Sequence, residues 1–250
     1  MPRFSANLGF LWSELSLPDA IRAAKAAGFD AVEAHWPYAQ DPGAVKAALD
    51  DTGLPILGIN TIRGDNGENG LSALPGREPE ARAAIDQALI YARAIGAQNV
   101  HVMAGFAAGP QAHEAFIRNL RYACEMADGI GLLIEPLNRH DAPGYFLTTT
   151  DQAREIISEI AHPALRLMFD CYHVGRTEGD VITRARDLFP IIGHVQFAGV
   201  PTRGRPDEGE LNYSAIFAAL AEMGWDTPLG AEYKPGGSTE QSLGWMEAYR

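Results

Sequence analysis

The chain has 250 residues, 46% of them hydrophobic, which is enough to bury a large core, and no Pro/Ser-rich linker divides it. We therefore expect one domain over residues 1–250. The formal net charge of −12 argues against a nucleic-acid groove, which needs clustered Lys and Arg. Two cysteines, Cys124 and Cys171, are too few for a disulfide framework and indicate a reducing compartment. No signal peptide and no apolar run of about 18 residues is seen, so we expect a cytoplasmic protein that does not cross a membrane.

Short apolar runs alternate with longer segments of helical period along the whole chain. In the first half, strands are predicted at 3–10, 29–36, 54–60 and 99–105, and helices at 17–28, 41–53, 78–97 and 110–129. In the second half, strands are predicted at 131–136, 165–170, 193–198 and 227–233, and helices near 150–161, 178–189, 212–223 and 239–249. Eight strand–helix units of about 30 residues each predict a (β/α)8 TIM barrel of the α/β class. A doubly wound open sheet is the alternative, but the first predicted strand lacks the glycine fingerprint of that fold.

Each of the last four predicted strands ends at a side chain that carries oxygen. These side chains are Glu135, Asp170, Gln196 and Glu232. A barrel gathers the carboxyl ends of its strands at one mouth, so we expect three carboxylates and one amide to meet there. Such carboxylates repel one another by several kcal/mol unless a cation lies among them, and four oxygen ligands favour a hard divalent metal such as Mg²⁺ or Mn²⁺. One acid at a strand end commonly means only that the strand has reached solvent, but four in consecutive units favour a metal site.

Three more polar side chains lie close in sequence to the expected ligands. His173 follows Asp170 by three residues and is either a group of the site or an ordinary solvated histidine. Arg203 follows the seventh strand and is suited to bind a substrate carboxylate in bidentate fashion, although its charged surroundings also fit a flexible loop. Lys234, two residues beyond Glu232, faces either substrate or solvent.

Other signals concern the pocket wall and one loop. His35 and Trp36 end the second strand and are candidates for the wall. His194 is interpreted as structural, and His101 as a side chain that satisfies a buried hydrogen bond. The connection 61–77 is long for a link between a strand and a helix, which is typical of a lid, with simple disorder as the alternative.

Taken together, these segments resemble the bacterial hydroxypyruvate isomerases, within the xylose isomerase-like barrels that also include ketose 3-epimerases and endonuclease IV. The resemblance runs from end to end and is carried by RFSANLGFLW, NGLSALPGREPEAR, IEPLNRHDAPGYFLT, FDCYHVGRTEGD, GHVQFAGVPTRGRPDEGELNY and GAEYKPGGSTEQSLGWMEAYR. It implies that the four oxygen-bearing side chains bind the metal and that Glu135 and Glu232 also form the catalytic acid/base pair. His173 and Arg203 match positions that face substrate in the wider group.

The implied reaction is an aldose–ketose isomerisation of hydroxypyruvate to tartronate semialdehyde, by proton transfer through an enediolate and with no redox cofactor. The sequence departs from these isomerases at Gly175, where a glutamine is expected, and in the strand-seven loop at Gly199, Val200 and Thr202. That loop is closer to relatives that act on 2-oxo-tetronates. A 2-oxo-tetronate isomerase or a ketose 3-epimerase is therefore the alternative within the group.

Two alternatives belong to other classes. A metal-dependent phosphodiesterase of the endonuclease IV kind is disfavoured by the charge of −12 and by the few histidine ligands. A non-catalytic sugar-acid-binding protein would not need two glutamates across a pocket. We expect a small sugar acid or keto acid as the partner, no nucleic acid and no membrane, and we leave open whether the chain forms a homo-oligomer.

Overall fold

The computed structural model describes residues 1–249, apart from the side chain of Asn66. Its strands are β1 Phe4–Asn7, β2 Ala31–Glu33, β3 Gly58–Asn60, β4 Asn99–His101, β5 Gly131–Ile134, β6 Leu165–Asp170, β7 Ile192–Phe197 and β8 Leu229–Ala231. The helices are α1 Leu17–Ala26, α2 Pro42–Thr52, α3 Glu78–Ile95, α4 Pro110–Met126, α5 Thr150–Ile160, α6 Cys171–Thr177, α7 Val181–Leu188 and α8 Tyr213–Glu222. Segments of 3-10 helix occupy Pro37–Ala39, Asp65–Gly67, Phe189–Ile191 and Glu240–Tyr249.

The strands form a nearly closed parallel barrel. Hydrogen-bonded neighbours follow the order β2-β1-β8-β7-β6-β5-β4-β3. Between β2 and β3, Val32 and Ile56 form a parallel bridge, and the Leu57 amide donates to the Val32 carbonyl at 2.8 Å. Parallel strands that alternate with helices around a ring define the (β/α)8 TIM barrel, so the predicted fold is confirmed.

Capping groups set the ends of the helices that the sequence predicts. The Ser16 side chain accepts from the Asp19 amide at the start of α1, where Pro18 lies in the first turn. The Asp41 side chain caps α2 by accepting from the Ala44 amide, and Gly53 closes that helix at a φ of 66°. These local signals are readable in the sequence, which is why the predicted and observed helices agree closely.

Two elements differ from the sequence prediction. Helix α6 begins directly after β6 and was not predicted, because seven residues give too little periodicity to recognise. It starts there because the Asp170 side chain accepts from the Tyr172 amide at 2.8 Å. The last segment, predicted as an ordinary helix, is a 3-10 helix whose Trp245 packs against Phe4, with ring centroids 4.9 Å apart.

The barrel core is apolar, but a set of buried polar side chains collects where the strands end. They are Asn7, Glu33, His101, Glu135, Asp170, Gln196 and Glu232, and each is at most 6% exposed. Buried polar groups of this number require partners or a ligand. No helix within residues 1–249 has the length and apolar character needed to cross a bilayer.

Candidate active site

A cavity of about 360 Å³ opens at this end of the barrel, and of these polar side chains His101, Glu135 and Glu232 line it. Its wall includes Glu135, Glu232, His173 and Arg203, together with His35 and Trp36, which line it as predicted. A larger cavity of about 540 Å³ lies near Arg3, Trp225 and Tyr249 and is lined by none of the predicted site residues. The smaller cavity is the candidate active site because the titratable groups converge there.

Glu135 and Asp170 form the centre of the site. Glu135 follows β5 and Asp170 ends β6, and ligand atoms of these two residues and His173 all lie within 4.8 Å of one another. Among the described residues, Glu135 Oε1 and Asp170 Oδ2 are buried with no hydrogen-bond donor. Two buried, unpaired carboxyl oxygens at this separation favour a bound cation.

Gln196 contributes a third oxygen without a donor. Its Cα pairs in register with that of Asp170, which sets the two side chains on neighbouring strands. Its Nε2 donates to Glu33 Oε2 at 2.7 Å, so the amide oxygen faces away from Glu33, and this oxygen is buried and unpaired within residues 1–249. An amide held in this orientation offers an oxygen ligand.

Glu232 is held by three donors. Its Oε1 accepts from His35 Nε2 at 2.8 Å and from Asn7 Nδ2 at 3.2 Å. Its Oε2 accepts from Arg203 Nη2 at 2.7 Å, and the same guanidinium nitrogen lies 3.7 Å from Asp170 Oδ2. Arg203 therefore compensates the charge of the carboxylates. These three donors occupy most of the acceptor sites of the Glu232 carboxylate and leave one on Oε2.

The orientation of His173 determines what it can donate. Its Nδ1 accepts from the Asn138 backbone amide at 2.9 Å, so the proton of the neutral ring is on Nε2. Burial, followed by the nearby Arg203, lowers the pKa of His173 to about 3, which keeps the ring neutral at ordinary pH. Nε2 lies 3.7 Å from Glu135 Oε1. It can donate to a substrate oxygen, whereas a metal would require it to lose its proton.

The environment shifts the pKa values of the carboxyls in opposite directions. Burial, reinforced by Glu232 and Asp170, raises the pKa of Glu135 well above its usual range. Burial also raises the pKa of Asp170, to about 7, although Arg203 opposes the shift. Burial would raise the pKa of Glu232 as well, but Arg203 and His35 outweigh burial and lower this pKa to about 2. Without a cation, the surroundings favour the ionised form of Glu232 and the protonated form of Glu135.

Several other sequence predictions can be placed. The prediction that His101 satisfies a buried hydrogen bond is wrong: among the described residues neither ring nitrogen has a partner, and Nδ1 lies 3.6 Å from Glu135 Oε2. His101 instead lines the cavity. His194 lies beneath the site with its Nε2 3.1 Å from Glu33 Oε2. Lys234 is exposed and outside the cavity wall, and its predicted role in substrate binding stays a prediction.

Sequence reasoning missed Glu33, Asn7 and Asn138. Glu33 ends β2 as Glu135 follows β5, so the same signal, an acid at the end of an apolar run, was available for it. Asn7 and Asn138 gave no such signal, because their importance comes from partners that are distant in sequence.

The comparisons with known proteins agree with this geometry. The family model of the xylose isomerase-like TIM barrels matches residues 21–249. The chain is 42% identical to a 2-oxo-tetronate isomerase of Cupriavidus necator, covering 100% of this chain and 99% of that one. It is also 42% identical to a putative hydroxypyruvate isomerase of Homo sapiens, covering 99% and 95%. A crystal structure of an AP endonuclease, family 2, from Brucella melitensis superposes with a TM-score of 0.96 at 37% identity and covers 100% of both chains.

The chain belongs to the xylose isomerase-like TIM barrel family. Its curated relatives are isomerases over their full length, so the protein is an isomerase, and its partner is a small molecule. The resemblance to the hydroxypyruvate isomerase group that the sequence motifs indicated is thereby confirmed.

Proposed function

We propose that the protein is a metal-dependent sugar-acid isomerase that interconverts hydroxypyruvate and tartronate semialdehyde through an enediolate, with 2-oxo-tetronates as the alternative substrates. The observation that carries the proposal is the pair Glu135 and Glu232, two buried carboxyls of one cavity whose pKa values are shifted in opposite directions. Groups separated in this way are suited to act as acid and base in one reaction. The names of the full-length relatives support the substrate class.

The donor set fits a hard divalent cation such as Mg²⁺ or Mn²⁺. Glu135, Asp170 and Gln196 each offer a buried oxygen without a donor among residues 1–249, and Glu232 is the fourth proposed ligand. Oxygen donors of this kind are the ones that Mg²⁺ and Mn²⁺ prefer. A bound divalent ion would polarise the substrate carbonyl and make the neighbouring C–H bond more acidic.

The proton transfer follows from the state of the two glutamates. The ionised Glu232 carboxylate removes a proton from C3 of hydroxypyruvate and leaves an enediolate. Glu135 returns a proton to C2 from the carboxyl oxygen that does not bind the ion, while the hydroxyl proton passes between the two substrate oxygens. In the reverse direction the two residues exchange roles.

His173 and Arg203 are the proposed substrate-binding groups beside this pair. The Nε2–H of His173 donates to a substrate oxygen, and its direction is fixed by the Asn138 amide at Nδ1. Arg203, bound to Glu232, stabilises negative charge that develops next to it.

Solvent exchange tests the proposal. With Mg²⁺ or Mn²⁺ in D₂O, we expect deuterium to enter hydroxypyruvate and tartronate semialdehyde to appear, and Glu232→Gln to suppress both. A protein that binds the acid without exchange would be a sugar-acid-binding protein. The same preparation is tested on abasic duplex DNA, for which the charge of −12 predicts no cleavage. Cleavage of the DNA without deuterium exchange would indicate a phosphodiesterase rather than the proposed isomerase.

A further inference from the structure

A substrate carboxylate needs a cation in this cavity, because a protein with a net charge of −12 does not attract an anion through its overall field. Arg203 is already occupied. Its guanidinium binds Glu232 at 2.7 Å and lies 3.7 Å from Asp170. The rings of Phe10 and Tyr172 pack on it, with centroids 4.8 and 5.2 Å away. Its positive charge is therefore largely compensated by the carboxylates of Glu232 and Asp170.

Arg63 is different. It lies on the loop that follows β3 and lines the same cavity. Its Nε donates to Asn69 Oδ1 at 2.9 Å, and its Nη2 donates to the same oxygen. Within residues 1–249, Arg63 forms no ion pair with a carboxylate. Its guanidinium thus places a positive charge beside the cavity that no described carboxylate pairs with directly.

The surroundings of Arg63 hold its guanidinium in one orientation. The guanidinium stacks over the Trp36 ring, 4.7 Å from the centroid, and Trp36 Nε1 is fixed by donating to the Thr61 carbonyl at 3.1 Å. Asn69 occupies the Nε edge of the fork, and among the described residues Nη1 makes no hydrogen bond. A stacked guanidinium with one edge held and donors remaining is suited to bind a carboxylate.

We propose that Arg63, positioned by Trp36 and Asn69, binds the carboxylate of the substrate and makes this cavity select sugar acids over neutral ketoses. The inference rests on the proposed isomerase function. It orients the substrate with its carboxylate at Arg63 on the loop after β3 and its carbonyl and hydroxyl groups at the carboxyls that follow β5 and β8. This separation keeps the negative carboxylate of the substrate away from the negative centre of the site.

Steady-state kinetics with Arg63→Ala and Arg63→Lys test the proposal. For 2-oxo-tetronate and hydroxypyruvate we expect Arg63→Ala to raise KM by about 10- to 100-fold, which is the size of a charged hydrogen bond. For a neutral four-carbon ketose, KM should change by less than about twofold, because that substrate has no charge to lose. Arg63→Lys keeps the positive charge but not the forked guanidinium, so its KM for the acids should lie between those of the wild type and Arg63→Ala. Arg22→Ala, an exposed arginine on α1, is the matched control for charge and should leave both substrates unaffected.

Binding of a tetronate separates this inference from the function on which it rests. A tetronate has the carboxylate but no carbonyl, so it cannot be isomerised, and calorimetry in the presence of Mg²⁺ reports its affinity without turnover. We expect at least about tenfold weaker binding by Arg63→Ala than by the wild type. If the wild type isomerises no acid, the proposed function fails and calorimetry still decides the role of Arg63. Equal tetronate affinity in both proteins, no binding by the wild type, or equal kinetic losses for acid and ketose would each overturn the proposal.

Discussion

At the scale of single residues, the site combines two carboxyls in unlike surroundings. Glu135 lies among like charges in a buried position, whereas Glu232 accepts from His35, Asn7 and Arg203. The same side chain therefore favours the protonated form in one place and the ionised form in the other, which is the difference that the proposed acid and base steps need.

Replacing either glutamate by glutamine tests this division of roles. Glu135→Gln and Glu232→Gln keep an oxygen atom in place but remove the group that carries the proton. We expect isomerisation to fall by at least about 100-fold in each variant, with the fold unchanged by circular dichroism. A variant that keeps nearly full turnover would show that another group moves the proton.

Glu33 determines which atom of Gln196 remains free for the proposed metal. Glu33→Ala removes the acceptor that holds Gln196 Nε2 at 2.7 Å and lets the amide rotate. We expect the affinity for Mn²⁺, measured by calorimetry, to fall by about 10- to 100-fold, as is usual when the partner of a ligand is removed. Glu33→Gln keeps an acceptor oxygen and should bind Mn²⁺ nearly as the wild type does. Equal losses in both variants would indicate that only the charge of Glu33 matters.

At the scale of elements, the loop after β7 presents Arg203 by an unusual backbone path. Arg203 has a φ of +58°, and its amide donates to the Gly199 carbonyl at 2.8 Å. The same loop explains a departure that the sequence alone left open: a Cβ at Gly175 would lie 3.2 Å from Val200 and 3.1 Å from Leu211. The space that a glutamine would need at position 175 is therefore filled by the loop.

Gly209 is a position in this loop that has no room for a side chain. It has a φ of +102°, and a Cβ there would lie 2.0 Å from the Val200 carbonyl oxygen. We expect Gly209→Ala to lower both the melting temperature and kcat/KM, because the loop must move and carry Arg203 with it. Gly224→Ala is the matched control, since Gly224 has a φ of +90° and open space around it. Gly224→Ala should lose only the about 1–2 kcal/mol of stability that a left-handed alanine costs, and it should keep full activity. Equal stability and activity of the two variants would contradict this account.

At the scale of the whole molecule, the buried carboxyls couple the stability of the metal-free protein to pH. A carboxyl whose pKa is raised by folding stabilises the fold below its unfolded pKa of about 4, and this stability is lost as the pH rises through the folded value. For Asp170 that value is about 7, and Glu135 is shifted in the same direction. The lowered pKa of Glu232 contributes stability that is constant above about pH 4 and is lost as the pH falls below that value.

We therefore expect the melting temperature in the presence of a chelator to fall as the pH rises from about 5 to 8. Added Mg²⁺ or Mn²⁺ should raise it more at pH 8 than at pH 5, because the ion competes with protons for the same oxygens. Scanning calorimetry measures both effects. Asp170→Asn removes one of the groups and should flatten the slope. A wild-type slope unchanged in Asp170→Asn would assign the pH dependence to other charges.

The sequence by itself determined the barrel and where the oxygen-bearing side chains of the site lie along it. Helix starts depend on local groups such as Ser16 and Asp41, and buried strands on short apolar runs, both of which are visible within a few residues. Parallel connectivity then sends the carboxyl ends of all strands to one mouth, so the positions of Glu135 and Asp170 follow from the topology alone.

Only the tertiary structure decided what each of these side chains does. Glu232 meets His35 across 197 positions and Gln196 meets Glu33 across 163, and no local pattern encodes such pairings. The donors that reach a carboxyl set its pKa, the acceptor that reaches an amide sets which atom remains free, and the Asn138 amide sets the proton position on His173. Charge compensation also depends on tertiary contacts: Arg203 is bound to carboxylates of the protein, whereas Arg63 pairs with none in the described part of the chain. These properties depend on distances between strands that are remote in sequence, and packing alone fixes those distances.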